Sequence, residues 1–545
     1  MRNRKNSTHL DSYKLKENED PSFLLRLESL EDNSPTVHSV LETMKMDLSL
    51  LSESINTLSP FSLAVAFATL FITIVYCALK KRGLPPGLSG LPYFGYWPFI
   101  HDDFHLKLDE TQKKYGEVIS FTCTGRLYVS LGSVKIVREA YITKSECFGD
   151  RTLEYSLLKH AFREGVIFLN GDPWKVIRKF FLAVLKERGT VSIKNSFSGD
   201  LYDSIKSTIN DIKALKGEPF NTVELLNDKC TANLRLTVFG NVGASDEKIR
   251  RCNELYAREM LSLTPVNMLT CGNFPRYFIL PFKSDYHSCV KNHAEFEGIM
   301  YEIIKEHEKT YDEENIRDVI DEYLKERNKR RSKGDPTAKY FTDKVLVGSL
   351  VQIVGDGIFA VASFVGFAMR CLIENPEEQD KIYKEIVDVV GVDRQPTMED
   401  KSKLAYLNAF ILETLRMSDI FNFFPSQECI KETTLNGYRI PKGSTIIINF
   451  YTAHRDPEVY EEPEKFNPSR FIQVEGKRRP ELPISFGVGK RACLGEGFTM
   501  TQIFLFLASI IQNFHLELPK GTTKSAFELY MGGSLRVIAR PRDHK

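Results

Sequence analysis

From Ser54 to Leu79 the chain carries no charged residue, and Phe61–Leu79 is nearly all apolar or small. A helix needs roughly 20 such residues to cross a bilayer, where every backbone polar group must be satisfied within the segment itself. Lys80, Lys81 and Arg82 follow at once, while the residues just upstream carry mixed charge. The run reads as a retained, single-pass transmembrane signal anchor over 54–79, and the positive-inside rule places everything after it in the cytosol. A cleaved signal peptide is the competing reading. The run is long for that role and lacks a small-residue cleavage site before its basic flank. Residues 1–53 are polar, rich in Ser, Glu, Asp and Asn, and their composition predicts disorder. Met44 and Met46 offer alternative starts just ahead of the apolar run.

Leu84-Pro85-Pro86-Gly87 and Gly90-Leu91-Pro92 stiffen the backbone and forbid helix, so 80–92 reads as a basic flank and a rigid proline elbow. No Gly/Ser linker, repeat or low-complexity run interrupts 93–545, which reads as one large domain. Its first part holds a strand candidate, Leu127–Leu131. Helical patterns dominate from about Pro173 to Leu415. Short strand-like runs return between Thr433 and Asn449, broken by the Asn436-Gly437 and Pro441-Lys442-Gly443 turns. The charged stretch Lys305–Asp335 reads as solvated helix and loop. The predicted class is mainly α with small β-sheets. A formal net charge of +1 lacks the basic excess of a nucleic-acid binder. The ten cysteines are scattered without a CxxC pair, so neither a disulfide framework nor a zinc site is expected.

The strongest chemical signal is Phe486-Gly487-Val488-Gly489-Lys490-Arg491-Ala492-Cys493-Leu494-Gly495-Glu496. Three glycines within nine residues let the backbone lie flat and close against something large. Cys493 stands just before the apolar helical run Phe498–Phe514. A thiol at a helix N-terminus is expected to have a depressed pKa, with free amides bonding to sulfur and Arg491 supplying positive charge. The pattern suits a thiolate held under a flat anionic cofactor. A Walker-type phosphate loop is excluded, because Arg491 follows Gly489-Lys490 and Ile484 stands where the first glycine belongs. A lone cysteine is more often a packed core residue. Five fixed identities (Phe486, Gly489, Arg491, Cys493, Gly495) would nevertheless arise by chance in roughly one chain of this length per several thousand.

This spacing resembles the haem-ligand loop of the cytochrome P-450 family, and other motifs resemble that family too. Glu413-Thr414-Leu415-Arg416 is similar to its E-x-x-R pair. Phe466-Asn467-Pro468-Ser469-Arg470-Phe471 supplies the intervening arginine. Trp174 and Arg178 match its W-x-x-x-R helix. The resemblance covers residues 84–540, and Pro441-Lys442-Gly443 with His454-Arg455-Asp456-Pro457 looks like the microsomal family-2-like clan. It implies a single haem domain binding haem b (iron protoporphyrin IX), with Cys493 as metal ligand. Phe486, Gly489, Arg491, Gly495, Trp174 and Arg178 would hold the cofactor. Glu413, Arg416 and Arg470 would interlock as structural support. It further implies NADPH-driven monooxygenation through a flavoprotein reductase docking near Lys490 and Arg491, with cytochrome b5 as a helper, at the endoplasmic reticulum membrane.

The resemblance breaks on the long central helix. Counting back from Asn375-Pro376 aligns Asp356-Gly357-Ile358-Phe359-Ala360-Val361 with the family's run over the haem, which makes Gly357, Phe359 and Ala360 the residues of the catalytic centre beside Cys493. Phe359 stands at the acid position and Ala360 at the alcohol position, and neither has a proton to transfer. Water, a substrate hydroxyl, Ser363 or Asp356 would relay protons instead. The open alternatives are a reductase-independent peroxide isomerase or dehydratase of the same fold, and a non-catalytic haem-binding protein. Gln427 stands where many relatives place His or Arg. Substrate contacts are expected from Arg151–Phe162, Gly355–Ala360, Ile420–Gln427 and Tyr530–Ser534. Phe359 with Phe421, Phe423 and Phe424 would narrow an apolar pocket suited to a lipid, steroid or terpenoid.

Overall fold

The computed structural model describes residues 82–151, 164–186, 196–269, 280–418, 420, 426–476 and 481–542, apart from 92 and 241, with a few positions between 62 and 72. Met1–Arg82 and Gly83–Lys545 are two separate units. In the first, the described positions of the apolar run are helical and exposed, Phe67 and Phe71 each at 68%. The expectations for the rest of 1–81 lie outside the described residues.

The second unit is built on long helices: α1 (Phe104–Tyr115), α2 (Gly171–Leu185), α3 (Ser196–Ala214), α4 (Thr222–Phe239), α5 (Asp246–Ser262), α6 (Leu280–Lys309), α7 (Val319–Ser332), α8 (Asp343–Glu374), α9 (Pro376–Val390), α10 (Ala405–Met417) and α11 (Glu496–Asn513). The Thr342 hydroxyl caps α8 by accepting from the Val345 N–H. Asn375-Pro376 ends it, and Pro376 opens α9, where its missing N–H costs nothing. Apolar on every side, α8 runs through the core with α4, α5, α6 and α11 packed around it. Among the described residues it is the one helix long and apolar enough to cross a membrane, yet its most apolar 18-residue stretch is 72% buried inside the protein.

The strands are β1 (Val118–Cys123), β2 (Arg126–Leu131), β3 (Asp150–Arg151), β4 (Phe220–Asn221), β5 (Gln427–Glu428), β6 (Thr433–Leu435), β7 (Tyr438–Ile440), β8 (Thr445–Ile448), β9 (Phe514–Glu517) and β10 (Arg536–Pro541). They form sheets in the orders β1-β2-β8-β5-β3, β4-β10-β9 and β6-β7. Residues 126–131 include the strand candidate read from the sequence. Asn436 and Gly437 both take positive φ, as the tight hairpin between β6 and β7 requires. The architecture is mainly α with small β-sheets.

Two local readings change. The proline elbow does not stand clear of the domain: the Ser120 hydroxyl donates to Pro85 O, and Leu88 N–H to Ser120 O, which docks it on the edge of β1. Lys305–Asp335 is not solvated throughout, and Asp318, Asp321 and Arg327 are buried. Val319, Ile320, Tyr323 and Leu324 of α7 are buried in the main core.

Candidate active site

Cys493 lies between a short turn at Gly489–Arg491 and the start of α11 at Glu496. Its N–H donates to Phe486 O at 2.8 Å, closing the loop. Gly489 has φ +75°, and a Cβ there would lie 2.1 Å from Tyr141 O, so this position admits only glycine. Among the described cysteines Cys493 alone is exposed, and it faces a cavity of about 260 Å³. Burial pushes its thiol up to about 11, with Asp356 and Glu496 adding to the rise and the Gly495 amide and Arg178 opposing it. The expected depressed thiol is thus corrected: loss of water outweighs the helix amides, and a metal bound at the sulfur would deprotonate it. The neighbouring cation is Arg178. Arg491 turns away, donating to Gly149 O at 2.9 Å and Asn170 Oδ1 at 3.1 Å.

One rim of the cavity is cationic. Arg151, Arg178 and Arg491 all line it with Trp174, and the Arg491 guanidinium lies 3.7 Å over the Trp174 ring. Arg178 donates to Ala492 O. Burial, then repulsion from Arg151, pushes the Arg491 pKa down, while Asp150 at 3.7 Å opposes the fall. A guanidinium does not give up its proton in a protein, so this crowding calls for an anion. Trp174 Nε1 is buried with no hydrogen-bond partner among the described residues, a donor in want of an acceptor. A flat metal complex with two acidic arms satisfies the thiol, the indole and the guanidiniums together.

Beneath the loop is a buried ionic lock. Arg416 donates from Nε and one terminal nitrogen to the two oxygens of Glu413, both at 2.8 Å, and both side chains are fully buried. Arg470 Nε reaches the same carboxylate at 3.1 Å. Arg416 also donates to His454 O at 2.8 Å, and His454 Nε2 accepts the Ile484 N–H at 3.0 Å. Ile484 stands two residues before Phe486, so His454 ties the lock to the cysteine loop. Burial first, then Arg416 and Arg455, push the His454 pKa down to about 3. The ring is therefore a neutral acceptor.

The roof is one face of α8: Ile353, Asp356, Gly357, Ala360 and Phe364 line the cavity at helical spacing. Phe359 points elsewhere, about 115° round the helix from the centre of that face by the same periodicity. Its ring packs edge-on to Tyr256 of α5 at 6.5 Å. Gly355 is absent from the lining because the Tyr256 ring occupies the space beside it, 2.2 Å from where a Cβ would stand. The Tyr256 hydroxyl donates to Asp356.

Of the expected site residues, the lining holds Cys493, Gly357, Ala360, Trp174, Arg178, Phe486, Arg491 and Gly495, but not Phe359. Gly489 is in the loop turn against Tyr141, and Glu413, Arg416 and Arg470 are in the lock. Ser363 is outside the lining, and its carbonyl accepts from Tyr530. Tyr530 and Gly533 line a separate, open depression of about 600 Å³ that holds no thiol and no unpartnered buried group. Arg151, Ile420 and Gln427 do face the cavity, while 152–163 and Phe421–Phe424 lie outside the described residues. Lys490 is exposed, but Arg491 is buried and offers no docking surface. Sequence reasoning missed Tyr141, Tyr256 and the role of His454. His454 was visible only as part of His454-Arg455-Asp456-Pro457, and nothing near Tyr256 marks it.

A thiol facing a chamber with an unsatisfied indole donor and surplus guanidiniums on its rim fits the class of haem-thiolate proteins. Comparison with known proteins gives the family. The Cytochrome P450 family model matches residues 85–540. Cytochrome P450 18a1 of Drosophila melanogaster is 30% identical, covering 86% of this chain and 88% of its own. Cytochrome P450 2J3 of Rattus norvegicus is 30% identical over 84% and 90%, and cytochrome P450 2J2 of Homo sapiens 28% identical over 84% and 91%. The chain belongs to the cytochrome P450 family and is an oxidoreductase, a haem-thiolate monooxygenase.

Proposed function

We propose that the enzyme inserts one atom of dioxygen into an apolar small molecule of lipid, steroid or terpenoid size. Its electrons come from NADPH through a flavoprotein reductase, with cytochrome b5 as a helper. The 54–79 segment anchors it in the endoplasmic reticulum membrane with 93–545 in the cytosol. The observation that carries the substrate class is the wall above the thiol, where Leu185, Leu234, Val238, Ile353, Phe364 and Ile420 converge. Such a wall favours hydrocarbon through the area it removes from water.

When bound, the haem supplies electron transfer and oxygen activation. The chain's own residues do the rest. Cys493 would bind the iron, its backbone held by the Phe486 carbonyl and its sulfur by the Gly495 amide. Trp174, Arg151, Arg178 and Arg491 would receive the two acidic arms. Glu413, Arg416 and Arg470 keep the loop in place. Ala360 brings no hydroxyl to the cavity, so protons reach it through water or through Asp356. Incubation of membranes, reductase and NADPH with a lipid extract under heavy-isotope oxygen tests the whole reading. One labelled atom in a reductase-dependent product is the expected result. Unlabelled product formed from hydroperoxides without NADPH would overturn it.

A further inference from the structure

Among the described residues Asp356 is the one carboxylate side chain lining the cavity, and three features of the chain are arranged around it. Gly355 leaves room for the Tyr256 ring, Phe359 packs that ring from the next turn, and the ring delivers its hydroxyl to the Asp356 carboxyl. Tyr256 is thus a positioning residue that aims the carboxyl. Among the described residues no lysine, arginine or histidine pairs with Asp356, and Tyr256 is its one polar partner. The other groups in this field are acidic. Glu259, one turn along α5 from Tyr256, adds negative charge there and is turned towards His293 of α6. The Cys493 sulfur is within electrostatic reach of Asp356. The cavity's guanidiniums, Arg151, Arg178 and Arg491, would serve the acidic arms of the haem under the proposed function.

A buried charge without a counter-ion is costly, and the missing partner must come from what enters the chamber. We propose that the substrate is a lipophilic amine, bound as its cation with Asp356 as counter-ion while its hydrocarbon body fills the apolar wall. This rests on the cavity being the substrate chamber of the monooxygenase. Burial pushes the Asp356 carboxyl up to about 6, with Tyr256 opposing the rise. It is therefore ionised at neutral pH and loses its charge in mild acid.

The test uses the haem-loaded full chain in lipid nanodiscs. A hindered tertiary alkylamine and the hydrocarbon with C–H in place of nitrogen are titrated, with the dissociation constant read from the haem absorbance. At pH 7.5 the amine is expected to bind at least about tenfold more tightly than the hydrocarbon, as a charge-assisted contact in an apolar site implies. The preference should fade at pH 5 and be lost in Asp356→Asn, which binds the hydrocarbon as well or better. In Tyr256→Phe the preference survives at pH 7.5, but its pH midpoint moves upward, because the hydroxyl that favours the ionised carboxyl is gone. Both ligands binding the wild type without preference would overturn the amine assignment and leave the monooxygenase standing. A preference that survives Asp356→Asn would also overturn it. If neither ligand perturbs an intact haem-thiolate spectrum, the chamber reading falls with it.

Discussion

The two sides of the cavity are built on different principles. The cysteine side is held by backbone and by a closed polar network: Gly489 admits no side chain, Phe486 O holds the Cys493 amide, and Glu413 is shared by Arg416 and Arg470. The α8 side is held by side-chain shape, with Tyr256 fitted between Gly355 and Phe359 and a lone carboxyl aimed into the chamber. The Cys493 amide and the Glu413 carboxylate are paired inside the protein. On the other side Asp356 has no counter-ion among the described residues. The cysteine side is therefore a fixture for the cofactor, and the α8 side is where a substrate is selected.

The largest expected effect removes the fixture's centre. Cys493→Ala should abolish the haem-thiolate absorption spectrum entirely, and any surviving thiolate spectrum would sink the ligand assignment. Next comes the lock. Glu413→Gln leaves Arg416 and Arg470 buried around a neutral amide, which should lower stability by about 3–5 kcal/mol; denaturant unfolding of the haem-loaded protein measures it. A loss under about 1 kcal/mol would mean that the carbonyls of His454, Pro463 and Lys465 hold Arg416 unaided.

The two sides should also answer acid in opposite directions. His454 stays neutral down to about 3 when folded, whereas in the unfolded chain it titrates near its ordinary 6.5. The unfolded state binds the extra proton between those values, so this term of stability is present above pH 6.5 and is lost as pH falls towards 3. At pH 5 the loss is about 2 kcal/mol. Asp356 has the reverse sign: raised from 3.8 to about 6, it stabilises the fold in acid, and that stability is lost as pH rises through 6. Stability curves from pH 7 to pH 5 should flatten in His454→Asn and steepen in Asp356→Asn. Parallel curves for both variants would show that neither burial matters energetically.

What the sequence made legible is what is local in the chain. The Cys493 loop, the hairpin at Asn436-Gly437, the strand around Leu127–Leu131 and the end of α8 at Asn375-Pro376 are each written within a dozen residues. Glu413, Arg416 and Arg470 were found across 57 positions only through resemblance. Tyr256 and Asp356 are 100 residues apart, with no spacing to connect them, so Phe359 was set in the cavity wall when its task is to hold Tyr256. The Cys493 thiol was misjudged for a related reason. Its helix amides are local and visible, but the burial that outweighs them is made by the whole fold.

The smallest expected effect separates the two glycines of α8, which the sequence alone treats as equals. Each loses about 1 kcal/mol of helix propensity against alanine. At Gly357 an added Cβ meets only a Leu234 methyl at 3.0 Å, the far end of a side chain that can give way. At Gly355 it meets three atoms of the Tyr256 ring between 2.2 and 2.6 Å, and Phe359, one turn on, packs against the same ring. Overpacking of that kind costs about 1–3 kcal/mol. Gly357→Ala should therefore be neutral to slightly stabilising in thermal unfolding, and Gly355→Ala destabilising by about 1 kcal/mol. If Gly355→Ala proves as harmless as Gly357→Ala, Tyr256 is loosely seated, and the α8 side is less specifically shaped than the cysteine side by more than its missing counter-ion.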